Sequence, residues 1–274
     1  MGVGIAYVFA AAGFDTTVVE PDPQRVTAVR ETVALAAADG ARRGKLGQHN
    51  ASDVTERLRV VAAIAELPRS LDLAIESVPE RFELKEHVLL EIEHRDPLLI
   101  ATNTSALSIT RLATGLAEPS TFVGLHFFNP VWSLPLVEVV RGSLTSDATV
   151  EGAMAFVAAL GKQSITVHDS PGFATSRLDL IASLEAMRML QDGVASAADI
   201  DRAMVLAYRH PTGPLRLSDI VGLDVRLDIA RHLQRELGER FAPPRLLKEL
   251  VDAGHLGVKS GKGFFEWRTT KESQ

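Results

Sequence analysis

The sequence contains no cysteine, which excludes disulfide bonds and thiolate chemistry and fits a protein of the cytoplasm. Basic residues are in the minority, with 29 Lys and Arg against 35 Asp and Glu, which argues against a nucleic-acid-binding surface. No apolar run reaches the roughly 18 residues that a membrane-spanning helix needs. The apolar start lacks the basic residues of a signal peptide and continues into a strand pattern. We therefore expect neither nucleic acid nor a membrane as a partner.

Strand and helix patterns alternate along the first part of the chain, up to about Val167. Continuous apolar runs, such as residues 98–102, are typical of buried parallel strands, and helical patterns separate them. From Asp169 onward the pattern changes and becomes helical. We predict a Rossmann-type, doubly wound and mostly parallel sheet in residues 1–168, followed by an all-α domain in residues 169–274.

The chain begins like the second half of a dinucleotide-binding unit. Residues 1–13 have the pattern of a helix, and residues 14–20 have that of a buried strand ending in Glu20. In such a unit Gly2 is the last glycine of the G-x-G-x-x-G fingerprint, and Glu20 binds the adenosine ribose hydroxyls. A carboxylate at this position repels a 2′-phosphate, so the sequence favours NAD over NADP.

The first strand of that unit, and the first two glycines of its fingerprint, are missing before Gly2. In the usual strand order the first strand lies at the centre of the sheet, so its loss leaves two neighbours without hydrogen-bond partners. We expect a chain that has been shortened at its start. The alternative is a natural chain that has no working cofactor site.

A lone histidine and a lone acid occupy two successive apolar runs. His126 lies near the end of the first run, and Glu138 lies inside the second. An acid in an apolar strand is costly without a partner, and a strand, turn and return strand can bring the two side chains together. A carboxylate bonded to one imidazole nitrogen fixes the tautomer and leaves the other nitrogen as a proton acceptor. A histidine among aromatic residues is more often structural, so this pair alone does not establish catalysis.

Several ordered motifs accompany this pair. They are Asn103-Thr-Ser105, His126-Phe-Phe-Asn-Pro130, Asp169-Ser-Pro-Gly-Phe173, His210-Pro-Thr-Gly-Pro214 and Lys259-Ser-Gly-Lys-Gly-Phe-Phe265. With them the sequence resembles the L-3-hydroxyacyl-CoA dehydrogenases over nearly the whole chain. The resemblance implies hydride transfer between NAD and C3 of an acyl-CoA such as 3-hydroxybutyryl-CoA, in fatty acid metabolism. It also implies a homodimer formed through the C-terminal helical domain, and no metal.

The resemblance further implies roles for individual residues. His126 is the acid and base, and Glu138 orients it. The residues that position substrate oxygens and the histidine loop are Ser105, Asn129 and Ser176. The cofactor-side residues are Gly2, Glu20, Glu80, Lys85, Ser105, Asn129 and Lys259. The cations that face the CoA phosphates are Arg42, Arg43 and Lys45, although a solvated helix end explains this cluster equally well.

One departure from the family pattern concerns Ser176, which stands where the family has an asparagine. A hydroxyl still donates one hydrogen bond but has a shorter reach, which puts the substrate geometry in question. Two other functions stay open at this point. One is a dehydrogenase of the same fold that acts on a free hydroxy acid, such as a sugar acid or a carnitine-like compound. The other is a non-catalytic structural protein, or a truncated fragment of the family, for which the missing first strand is the best support.

Overall fold

The structure is a computed structural model that describes residues 1–267. The chain divides into two compact units, residues 1–173 and the residues from Ala174 onward. The loop of residues 169–173 belongs to the first unit, whereas the sequence pattern placed it at the start of the helical domain. None of the helices in residues 1–267 is long and apolar enough to cross a membrane.

Strands and helices alternate through the first unit. They are α1 (Gly2–Ala11), β1 (Thr16–Val19), α2 (Pro23–Arg42), α3 (Ala51–Glu56), β2 (Leu58–Val61), β3 (Ala74–Glu76), α4 (Phe82–Glu93), β4 (Ile100–Thr102), α5 (Ile109–Ala113), β5 (Phe122–Phe127), β6 (Leu136–Arg141), α6 (Asp147–Ala159) and β7 (Gln163–His168). This alternation is the one that the hydrophobic pattern predicts for a doubly wound sheet.

The strands of this unit form two sheets. Strands β1 and β2 make a parallel pair, and β3 to β7 make a five-stranded sheet in sequence order. Strands β3, β4 and β5 are parallel, β6 runs antiparallel to β5, and β7 is parallel to β6. Among residues 1–267, β1 and β3 are therefore edge strands. These are the two strands that a Rossmann-type order places on either side of its first strand.

Close packing between α5 and β5 fixes the part of the sheet that carries His126. All six residues of β5 are buried. A Cβ atom at Gly124 would lie 2.8 Å from Val140 and 2.9 Å from Ile109, so only glycine lets the helix approach the strand this closely. Ser108 caps the start of α5, because its hydroxyl accepts a hydrogen bond from the Arg111 backbone N–H.

The second unit is helical throughout the residues that the structure describes. Its helices are α7 (Thr175–Gln191), α8 (Ala197–Tyr208), α9 (Pro214–Val221), α10 (Leu223–Leu237) and α11 (Arg245–Asp252). A core that includes Leu184, Met187 and Leu227 joins them. Gly222, at a φ of 104°, separates α9 from α10.

Candidate active site

His126 and Glu138 face each other across two antiparallel strands. They are paired directly in the register of β5 and β6, so their side chains project from the same face of the sheet. His126 Nδ1 lies 2.7 Å from Glu138 Oε2. The exposed fractions of the two residues are 7% and 0%. Beside an ionised carboxylate Nδ1 carries the ring proton, which leaves Nε2 as the nitrogen that can accept one.

Two phenylalanine rings flank the imidazole of His126. The ring centroids of Phe128 and Phe173 lie 4.4 and 5.8 Å from the imidazole centroid. Phe173 is buried, and its backbone is left-handed, with a φ of 47°. A bulky residue in that conformation costs on the order of 1–3 kcal/mol and persists only where the surrounding structure fixes it. The two rings limit the orientations that the imidazole can adopt.

The loop that follows β4 carries Asn103 and Ser105 at the carboxyl end of the parallel strands. The side-chain oxygen of Asn103 accepts a hydrogen bond of 2.9 Å from the Phe127 backbone N–H. The backbone N–H of Ser105 donates to Glu80 at 3.0 Å. Ligands of open α/β sheets bind beyond this end of the strands. The structure therefore places His126 and the Ser105 loop at the same end of the sheet.

Glu80 and Lys85 differ sharply in their surroundings. The Glu80 side chain is partly exposed and accepts from the backbone N–H groups of Ser105 and Ala106. Lys85 is only 1% exposed, and its ammonium donates to both carboxylate oxygens of Glu76 at 2.9 and 3.0 Å. The Lys85 ammonium also lies 3.4 Å from Glu80 Oε2. A direct contact between Lys85 and the cofactor stays a prediction, because the contacts seen are with protein groups.

Asn129 lies in the loop between β5 and β6, where its peptide bond to Pro130 is cis. Lys162 contacts the same loop, because its ammonium donates to the carbonyl oxygens of Val131 and Leu134 at 2.6 and 2.7 Å. Burial lowers the pKa of Lys162 from its ordinary value. The loop that carries Asn129 is thus held by a lysine that directly precedes β7.

The start of α1 and the end of β1 fit a dinucleotide. In the described structure no side chain caps α1 and no acid lies in its first turn, so its positive end suits a pyrophosphate. A Cβ atom at Gly2 would lie 3.6 Å from Ser77, whose buried hydroxyl has no hydrogen-bond partner within residues 1–267. Glu20 follows β1, and Arg25 Nε lies 3.7 Å from its carboxylate. A helix start without a capping side chain and an acid after the next strand are two of the features of a dinucleotide site. Binding of NAD by Gly2 and Glu20 stays a prediction.

The basic cluster predicted to face CoA lies at the end of α2. Arg42 and Arg43 both pair with Asp39, one turn earlier in the helix. The hydrogen bond from Arg42 is the main cause that lowers the pKa of the Asp39 carboxyl. Pairs at this spacing are typical of a solvated helix face. A role of these arginines and of Lys45 in CoA binding stays a prediction.

Two further predicted site residues belong to the second unit. Ser176 lies in the first turn of α7. Lys259 lies in a short 3-10 turn and forms an ion pair with Asp224. The hydrogen bond from Lys259 is the main cause that lowers the pKa of Asp224. The roles of Ser176 and Lys259 in catalysis and cofactor binding stay predictions.

Three residues in contact with these groups were not predicted. Glu76 is an acid at the end of a buried strand. The same pattern singled out Glu20, so it could also have pointed to Glu76. Phe173 lies inside a recognised motif, but no role follows from the motif alone. Lys162 directly precedes a strand and belongs to no motif, so only the fold reveals its contact with the loop.

Two protein-family models match the chain. The 3-hydroxyacyl-CoA dehydrogenase NAD binding domain matches residues 1–170, and the 3-hydroxyacyl-CoA dehydrogenase C-terminal domain matches residues 172–267. The chain belongs to the 3-hydroxyacyl-CoA dehydrogenase family. The predicted family, Rossmann-type fold and NAD cofactor are therefore confirmed, and so is the predicted class of enzyme.

Relatives and a solved structure agree with this family. The chain is 38% identical to the 3-hydroxybutyryl-CoA dehydrogenase of Mycobacterium tuberculosis over 272 residues, which cover 97% of this chain and 95% of the relative. It is 36% identical to that of Bradyrhizobium diazoefficiens, over 99% of this chain and 93% of the relative. The crystal structure of (S)-3-hydroxybutyryl-CoA dehydrogenase PaaH1 from Ralstonia eutropha superposes with a TM-score of 0.93 at 36% identity. That match covers 98% of this chain and 96% of the other.

Proposed function

We propose that this chain interconverts L-3-hydroxybutyryl-CoA, or a similar short L-3-hydroxyacyl-CoA, and its 3-oxoacyl-CoA, with His126 as acid and base. The observation that carries this assignment is the 2.7 Å contact between His126 Nδ1 and Glu138 Oε2. The names of the relatives in Mycobacterium tuberculosis and Bradyrhizobium diazoefficiens support a short acyl chain.

The proposed proton transfer uses the two nitrogens of His126 differently. During oxidation Nε2 takes the proton of the substrate C3 hydroxyl, while the Nδ1 proton stays directed at Glu138. The Glu138 carboxylate compensates the positive charge that forms on the imidazole, and it is buried, where such compensation is strongest. NAD, when bound, accepts the hydride from C3. In the reverse direction His126 returns its proton to the C3 oxygen.

The residues around this pair have proposed roles as hydrogen-bond donors. Ser105 and Ser176 position the substrate oxygen atoms. Asn129 positions the loop that follows His126 and contacts the cofactor. The loop of Ser105 is fixed by Glu80, which supports a defined position for its hydroxyl. Ser176 has a shorter reach than the asparagine that the family pattern has at this position.

The cofactor-side assignments are also proposals. Gly2 lets the pyrophosphate approach the start of α1, and Glu20 accepts hydrogen bonds from the adenosine ribose. Glu80, Lys85 and Lys259 are assigned to the cofactor, and Lys85 also contacts Glu80. The uncapped start of α1 and the position of Glu20 directly after β1 support this arrangement.

We further propose that the enzyme is a cytoplasmic homodimer of fatty acid metabolism that associates through its helical unit. Exposed apolar side chains on two helices of that unit support the dimer, among them Leu178 on α7 and Leu206 and Tyr208 on α8. Sedimentation at micromolar concentration tests it. A monomer at every concentration would contradict the dimer. Cell fractionation tests the location, and recovery outside the cytoplasmic fraction would contradict it.

The direct test of the substrate compares acetoacetyl-CoA with free acetoacetate as oxidant of NADH. We expect a kcat/KM at least a hundredfold higher for the thioester, because the CoA moiety contributes binding energy that the free acid lacks (on the order of 3 kcal/mol). Equal values would favour a dehydrogenase of a free hydroxy acid. Binding of NADH without turnover of either compound would favour the non-catalytic alternative.

A further inference from the structure

Three charged side chains connect the end of β3 to the Ser105 loop. Glu76 and Lys85 are both buried, and the Lys85 ammonium contacts both oxygens of the Glu76 carboxylate. The same ammonium lies 3.4 Å from Glu80 Oε2. The other oxygen of Glu80 accepts from the N–H groups of Ser105 and Ala106 at 3.0 and 3.1 Å. One buried cation therefore links a buried carboxylate to the carboxylate that holds the loop.

Glu76 has anchors of its own besides Lys85. Its Oε1 accepts a 2.5 Å hydrogen bond from the Val78 backbone N–H, and its Oε2 accepts one of 2.5 Å from the Thr102 hydroxyl. These donors lie next to β3 and at the end of β4. Several donors that converge on one buried carboxylate fix its position, and the carboxylate in turn fixes the ammonium.

The position of Glu80 depends on the competition between the Glu76 and Glu80 carboxylates for the Lys85 ammonium. With both carboxylates in place, Glu76 takes two close contacts with the ammonium and Glu80 takes a longer one. If Glu76 loses its charge, Glu80 is the remaining anion of the three groups. Attraction in a buried environment is strong, so it draws the Glu80 carboxylate toward Lys85 and away from the amides of the Ser105 loop.

We propose that Glu76 is a positioning residue for the reaction. It holds the Lys85 ammonium so that Glu80 stays on the backbone N–H groups of Ser105 and Ala106. The proposal rests on the proposed function, in which the Ser105 hydroxyl contacts the reacting oxygen. In this proposal Lys85 acts on the Ser105 loop through Glu80.

The test uses Glu76→Gln, which keeps the side-chain shape and removes the charge. The matched control is Ile92→Val, a buried apolar change on the helix that carries Lys85. We expect amide hydrogen exchange in residues 103–107 to be about tenfold faster in Glu76→Gln than in Ile92→Val, with the two variants compared at the same interval below their melting temperatures. We also expect the KM for acetoacetyl-CoA to rise and kcat to fall in Glu76→Gln alone.

A double variant separates the effect of charge from a general packing defect. Glu76→Gln with Lys85→Met removes the ammonium that draws Glu80 away, so hydrogen exchange in residues 103–107 should return to within about threefold of the wild type. If hydrogen exchange in residues 103–107 is as fast in the double variant as in Glu76→Gln, or if Glu76→Gln behaves like Ile92→Val, the proposal is wrong. Should Glu76→Gln not fold, Thr102→Val replaces it, since that change removes one anchor of Glu76. Exchange in residues 103–107 no faster than in Ile92→Val would then overturn the proposal.

Ser105→Ala, measured beside these variants, distinguishes this proposal from the proposed function. Unchanged kcat and KM in Ser105→Ala would remove Ser105 from the site and, with it, the catalytic consequence assigned to Glu76. Hydrogen exchange in residues 103–107 does not depend on turnover. It therefore decides separately whether Glu76 holds the loop.

Discussion

Asn103 and Phe127 join the ends of two neighbouring strands beside His126. The Asn103 side-chain oxygen accepts the Phe127 backbone N–H at 2.9 Å, and the Asn103 backbone N–H donates to the Glu76 carbonyl oxygen at 2.8 Å. One residue thus ties together the ends of β3, β4 and β5. Because Phe127 follows His126 directly, this bond fixes the backbone that carries the imidazole.

Asn103→Ala should therefore affect both stability and turnover. The change leaves the Phe127 N–H without its acceptor, which costs about 1–3 kcal/mol of unfolding free energy. We expect kcat to fall about tenfold, because a small displacement of a catalytic group has a large effect on rate. Urea unfolding and steady-state kinetics measure the two effects. Asn103→Asp keeps an acceptor oxygen and is the control; a loss of stability without any loss of kcat in Asn103→Ala would contradict the positioning role.

Glu138→Gln should reduce turnover while leaving cofactor binding intact. The amide keeps the size of the carboxylate but cannot compensate the charge of the imidazolium, so we expect kcat to fall roughly 10²- to 10⁴-fold. NADH affinity, measured by fluorescence titration, should change less than about threefold, which in free energy is below 1 kcal/mol. A kcat close to that of the wild type would mean that Glu138 is structural.

Lys162→Met should loosen the loop that carries Asn129. The change leaves the carbonyl oxygens of Val131 and Leu134 without the ammonium, at a cost of about 1 kcal/mol or more. We expect the KM for acetoacetyl-CoA to rise about fivefold, with a smaller change in kcat. Gln163→Ala, at the exposed neighbouring position, is the control. Identical kinetics in the two variants would show that the loop does not depend on Lys162.

Glu20→Ser should shift the cofactor preference toward NADPH. It removes the carboxylate that repels a 2′-phosphate, while Arg25, whose Nε lies 3.7 Å from Glu20, can pair with that phosphate. We expect the ratio of the NADPH to NADH dissociation constants to fall at least tenfold, in fluorescence titrations. Glu20→Ser combined with Arg25→Ala should lose this gain. An unchanged ratio in the single variant would place the adenosine ribose elsewhere.

The alternation of strands and helices could be predicted from the sequence because buried strands and amphipathic helices leave different hydrophobic periods. The proximity of His126 and Glu138 was also predictable, since both lie on neighbouring segments and a charge in an apolar strand needs a partner. The environment of Lys85 was not predictable in this way. Its partner Glu76 precedes the helix that carries Lys85, and nothing in the spacing shows that the ammonium turns inward.

Long-range contacts account for the other residues that the sequence left out. Lys162 holds a loop some thirty positions earlier in the chain, and Phe173 contacts an imidazole on another element. Such contacts depend on the order of strands in the sheet, which local patterns do not encode. The pairing of Arg42 and Arg43 with Asp39 is local, by contrast, and follows from helical spacing alone.

The central claim is that His126 transfers the proton. Its most direct test is the oxidation of NADH by acetoacetyl-CoA, followed by absorbance for the wild type and His126→Gln, with NADH affinity measured on both. The account predicts a loss of kcat of about a thousandfold or more, with NADH affinity largely unchanged. Turnover in His126→Gln close to that of the wild type would contradict it.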